Sequence, residues 1–365
     1  MLLDASDHSL AQPSGSLLEQ LSAGLSAHTS PETHASVIEL RTGIHSDARE
    51  AVAELSGLRT QMAAELRAMG LLAASAGTYP LTRPGETRVS DAGRYRVVAD
   101  SMRSLARREP TLALHVHVGV RDPEEAIRLL NGLRGAVPLL LALSGNSPFS
   151  HCRDSGFASA RTVVFGAFPR TGTARPFSSY ADYVYAVDAL IASGAIPDPS
   201  FLWWDVRLQP SLGTVEVRVM DAQCTVGESA ALVALVRALA RLAVEHHLAE
   251  VPIAPEVLAE NRFLAARDGL DARLIDPVQR RLMPVRALIA ALLARCREHA
   301  DVAGQVEFDE LDRMVVANGA DHQRRWAHKD GLAALPRTLT QLYPPSGGGL
   351  ARVAEPVPTY EGAFC

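Results

Sequence analysis

Lysine is almost missing from these 365 residues. Lys329 is the only one, and all the other members of the 36 Lys and Arg are arginine. Arginine suits bidentate recognition of phosphate or carboxylate, although a bias toward Ala and Arg produces the same count. Cysteine is also scarce: Cys152, Cys224, Cys296 and Cys365 show no CxxC spacing, which excludes a disulfide scaffold and points to a reducing cytoplasm. No basic stretch followed by an apolar one opens the chain, and the longest apolar runs, near 137–143 and 287–294, are far too short to span a bilayer. A formal charge of -5 leaves no basic excess for phosphates to neutralise, so neither a nucleic-acid nor a membrane partner is expected. No glycine-rich phosphate loop follows a strand, so if ATP is used it is not held by a P-loop.

The composition, 47% hydrophobic and 21% charged, is that of a soluble globular protein. No repeat or charged linker divides it, and the expectation is one α+β domain over residues 1–340 followed by a Pro/Gly-rich tail over 341–365.

The informative stretches alternate. In Leu114-His115-Val116-His117-Val118-Gly119-Val120 and Thr214-Val215-Glu216-Val217-Arg218-Val219-Met220, apolar residues fall at every second position, the mark of a strand with one face on a core. His115 with His117, and Glu216 with Arg218, share the opposite faces. Around 35–42, Glu39 and Arg41 repeat the pattern. Helices are predicted over 16–28, from Ser46 to Gly70, over 93–107, 123–134, 138–144 and 179–193, and from the capping box Thr225-x-x-Glu228 to about 248. Further helices are predicted near 255–266, 277–299, 308–318 and 322–334. The turn-rich stretch 145–176 reads as loops of functional length around a short segment at 160–165.

Each candidate has a plain alternative. Imidazoles at i and i+2 of a strand lie roughly 6.6 Å apart on one face, which suits a metal, as in an HxH hydrolase, or merely a solvated sheet face. Glu216 and Arg218 are a surface ion pair, or a metal-binding carboxylate beside a guanidinium that grips phosphate. Arg161 lies in the loop-rich region, where arginine is usually solvated. Asp205 follows the Trp203-Trp204 pair and lines the same cleft, or the tryptophans simply pack the core.

Taken together, H-V-H-V-G-V at 115–120, L-S-G-N-S-P-F at 143–149, R-D-S-G-F at 153–157, W-D-V-R at 204–207, E-V-R-V-M-D at 216–221, E-N-R at 260–262 and G-A-D at 319–321 resemble the glutamate–cysteine ligase type 2 family of carboxylate–amine ligases. The resemblance covers residues 1–330. It implies a glutamine-synthetase-like α+β fold, a curved antiparallel sheet funnel covered on its outer face by helices. It implies ATP-dependent amide formation between a glutamate-like carboxylate and a cysteine-like amine through an acyl phosphate, with Mg²⁺ bridging the phosphates. Glu39, His115 and Glu216 would bind metal, His117, Asp205 and Arg218 the nucleotide, and Arg218 and Arg161 phosphate or the acidic substrate; a homo-oligomer is compatible with it. Members open on a strand of the form G-V-E-E-E-F running into L-L-x-D. Here the chain begins Met1-Leu2-Leu3-Asp4 without that acidic strand, which is expected upstream of Met1, the alternative being a pseudo-ligase that binds a nucleotide or a partner.

Overall fold

A computed structural model describes residues 1–13, 17–91, 93–245, 253–298 and 305–345. Its central sheet has three antiparallel strands in the spatial order Val206–Gln209, Thr214–Val217, Val116–Gly119. The register sets Arg207 opposite Glu216 and Glu216 opposite His117, while Val206, Val217 and Val116 form the adjacent row. Successive side chains of a strand point to opposite faces, so one face is Val116, Val206, Leu208, Val215 and Val217, all buried. The other is ionisable. The helices Pro123–Arg134 and Val226–Val244 pack behind the apolar face, and each valine so buried contributes on the order of 1.5 kcal/mol or more.

Five two-stranded pieces surround this sheet. Leu2–Asp4 pairs with Leu71–Ala73, Thr29–Pro31 with Ile38–Leu40, Phe149–Ser150 with Arg153–Asp154, and Arg273–Asp276 with Arg281–Pro284, all antiparallel; Thr171–Gly172 and Trp203–Trp204 run parallel. Helices and short, mainly antiparallel sheets make this an α+β fold. No single helix among the described residues is long and apolar enough to cross a membrane.

The predicted long helix runs Ala48–Ala68, with Asp47 rather than Ser46 at its N-cap: the Asp47 carboxylate accepts from the Arg49 N–H. Leu58, Met62 and Leu66 form its buried stripe. The capping box is present as read, Thr225 and Glu228 each accepting the other's backbone N–H. Several predictions differ; the helix expected over 93–107, for one, gives way after Met102 to a 3₁₀ turn opened by Arg103 in the left-handed region. The helix expected over 16–28 is two short ones, Leu17–Gln20 and Ala23–Ser26, because Ser22 is extended and gives its N–H and hydroxyl to Glu65 on the long helix. The helix expected over 277–299 begins only at Val285. Before it, Asp276 accepts the N–H groups of Val278 and Gln279, and Arg280 turns into the left-handed region, closing a hairpin ahead of Pro284. Residue 299 of that segment, residues 246–248 of the range predicted for the helix opened by Thr225 and most of the Pro/Gly-rich tail lie outside the described residues.

Candidate functional site

Glu216 stands at the centre of the ionisable face, only 1% exposed. Its Oε2 accepts from Arg207 Nε at 2.7 Å and Gln209 Nε2 at 2.8 Å, and its Oε1 accepts from Arg218 Nη1. His115 Nδ1 and His117 Nε2 face the same Oε1 at 3.5 and 3.8 Å. The structure therefore brings His115, His117, Glu216 and Arg218 together, as their alternation predicts. Burial alone would raise the Glu216 pKa, but the charges of Arg218 and Arg207 outweigh it and hold the carboxyl well below the usual range. His115 is pushed well below its ordinary value by burial and then by Arg218, and His117 is lowered by burial against the opposing pull of Glu216. Both imidazoles are therefore neutral at pH 7, and the two guanidiniums do the holding.

Two donors on Oε2 and one on Oε1 make Glu216 the tether of Arg218 and Arg207, with acceptor capacity left on Oε1, the oxygen that His115 and His117 face. Further carboxylates lie close enough to bear on this face by charge. Glu39, on the strand Ile38–Leu40, accepts from the Ser30 hydroxyl, and its charge bears on His117, Glu32 and Tyr95. Glu32 is half-buried near it, and Arg218 acts on Glu32 as well. Burial and the Glu39 charge raise the Glu32 pKa against the Thr33 N–H and Arg218. Two neighbouring carboxylates supply the hard oxygen donors that a divalent cation takes.

Arg161 and Asp205 are placed differently from the sequence-based expectation. Arg161 is 4% exposed, and its two terminal nitrogens donate to the carbonyls of Val219 and Arg218 at 2.9 and 3.0 Å. It thus positions the chain that carries Arg218 and does not present a fork to a ligand. Burial lowers its pKa to about 10, with Asp221, 3.7 Å away, opposing the shift. Asp221 in turn accepts from the Asn146 N–H at 2.9 Å and the hydroxyls of Ser147 and Ser159 at 2.6 and 2.8 Å. Close approach there requires Gly77, where an added Cβ would stand 2.7 Å from the Asp221 carboxyl. The Asp205 carboxylate is held in the fork of Arg262 at 2.7 and 3.0 Å and by the Thr173 hydroxyl at 2.9 Å, while its carbonyl accepts the Arg218 N–H at 2.7 Å. The motifs at 143–149 and 216–221 thus converge on a buried polar knot beneath the site.

Sequence reasoning passed over Arg207, Gln209 and Glu32. The first two carry the same period-two signal, since Val206 and Leu208 flank Arg207 as valines flank Glu216. Glu32 follows a three-residue strand and has no periodicity to mark it.

The sequence profile of the glutamate–cysteine ligase family 2 matches residues 3–338. Among curated relatives, a Rubrobacter xylanophilus protein provisionally named glutamate–cysteine ligase 2-1 is 38% identical over 89% of this chain and 86% of its own length. A Sorangium cellulosum protein provisionally named glutamate–cysteine ligase 2 is 37% identical over 81% and 80%. Among solved structures, glutamate–cysteine ligase from Francisella tularensis in complex with AMP superposes with a TM-score of 0.69 over 95% of this chain and 88% of that one; at 13% identity the likeness is one of fold. On the profile match and these identities, the chain belongs to the glutamate–cysteine ligase family 2.

Proposed function

We propose that the protein is an ATP-dependent carboxylate–amine ligase joining a glutamate-like carboxylate to a cysteine-like amine in the cytoplasm. The observation that supports it best is the Arg207–Glu216–Arg218 row, which fixes a guanidinium beside neutral imidazoles and two neighbouring carboxylates. In the reaction a carboxylate oxygen of the substrate attacks the γ-phosphorus of ATP, and the bond to the β-phosphate oxygen breaks, releasing ADP. The amine nitrogen then attacks the acyl carbon, phosphate leaves, and the amine proton passes to solvent.

Catalysis of this kind rests on positioning and on charge placed in advance where charge shifts. Arg218 is held rigidly by Glu216 through its side chain and by Asp205 and Arg161 through its backbone, so its remaining donors meet the transferring phosphoryl group without reorganising. Neutral His117, its Nδ1 2.9 Å from the Thr214 hydroxyl, contacts the nucleotide. His115 keeps the face from gaining positive charge. Glu32 and Glu39 would hold Mg²⁺, which supplies charge neutralisation on the phosphates. The AMP complex of the Francisella protein supports nucleotide binding by this fold. Incubation with ATP, Mg²⁺, glutamate and a panel of amines should release ADP in an amine-dependent way. Failure with every pairing would reject the ligase reading.

A further inference from the structure

A cavity of about 320 Å³ opens beside the Asp205–Arg262 pair, its wall including Arg134, Thr173, Ala174, Arg175, Leu258 and Arg262. Three guanidiniums border it, and two are neutralised. Arg175 is forked onto Asp182 at 2.9 and 2.6 Å, and Arg262 onto Asp205. Arg134 differs. It ends the helix Pro123–Arg134 and is 8% exposed, and its Nε donates to the Ala174 carbonyl at 2.5 Å. No carboxylate among the described residues pairs with it, so its terminal nitrogens stand at the cavity wall without a protein acceptor. The guanidinium is thus turned toward the cavity with its Nε anchored and no carboxylate of the described residues opposite it.

We propose that this cavity is a binding site for a small molecule carrying an oxyanion, a carboxylate or a phosphate, gripped by the Arg134 fork. Anchoring of Nε to Ala174 fixes the plane of the guanidinium, leaving the geometry in which arginine takes two oxygens of one group. Leu258 and Ala259 give the cavity an apolar wall for the rest of the ligand, and its volume is that of a small-metabolite site. Burial lowers the Arg134 pKa, and no carboxylate raises it again, which agrees with an uncompensated charge. The cavity adjoins the ligase centre through backbone: Gly172 accepts the Asp205 N–H at 2.8 Å, and Asp205 accepts that of Arg218. The site stands whether or not the ligase reading does.

The test is calorimetric titration of the full chain with inorganic phosphate and, separately, glutamate. Saturable binding of one of them, weakened about tenfold or more in Arg134→Gln, is expected, and the ligand that binds names the oxyanion. Ala259→Phe, at an exposed helical position that lines the cavity, should block binding without touching the charge and keeps the test open if Arg134→Gln does not fold. Unchanged affinity in both variants overturns the proposal. So does the absence of binding at millimolar concentration, and so does binding lost only in Arg218→Gln.

Discussion

Replacing Glu216 by Gln removes one charge from the middle of the row and changes almost no volume. The carboxylate now accepts from Arg207, Gln209 and Arg218, and an amide offers one oxygen for these donors and turns its NH₂ toward one of them. Two guanidiniums, one of them 7% exposed, would be left with no counter-charge. Breaking a buried pair by removing one partner costs about 3–5 kcal/mol, out of a total stability of about 5–15 kcal/mol for a typical protein. Urea denaturation at pH 7 should show that loss. The pH dependence carries a further signature. The folded-state pKa of Glu216 is depressed, so the stability it contributes is complete above its unfolded value, near 4.5, and is lost as pH falls below that toward the folded pKa. The gap between wild type and Glu216→Gln should therefore be flat from pH 8 to about pH 5 and narrow below about pH 4. ADP release should drop about a hundredfold or more as Arg218 loses its tether. A loss of less than about 1 kcal/mol, or a gap that widens on acidification, would refute the electrostatic account of the row.

Arg218→Lys keeps the charge and loses the fork, and steady-state kinetics should show kcat lowered about a hundredfold with the melting temperature nearly unchanged. Arg161→Lys surrenders two hydrogen bonds to the Val219 and Arg218 carbonyls, so about 1–3 kcal/mol should be lost in denaturation; because Arg161 acts through Arg218, kcat should fall with the KM for ATP almost constant. Glu32→Gln and Glu39→Gln should each raise the Mg²⁺ concentration at half-maximal ADP release about tenfold, and an unchanged Mg²⁺ dependence would remove them from the cation site. Thr225→Ala breaks the capping box, whose hydrogen bonds touch no site residue, and should cost about 1 kcal/mol by denaturation without altering turnover.

Local rules made much of the fold legible. The period of two in 114–120 and 214–220 placed His115, His117, Glu216 and Arg218 on one face because adjacent side chains of a strand cannot share a side. The capping box at Thr225 marked a helix start because both of its hydrogen bonds are made within four residues. What stayed hidden depends on groups distant in sequence. Sequence spacing cannot say that Arg207 meets Glu216 in register, that Arg161 spends its donors on the carbonyls of 218 and 219, or that Arg262 takes the Asp205 carboxylate from a helix 57 residues away. Nor can it say that Arg134 reaches a cavity wall with no acid to meet it. By itself the sequence determined which residue types face a common side and which family the chain resembles. Only the tertiary structure decided which charges neutralise one another, because that depends on distance and burial, and chain order encodes neither directly.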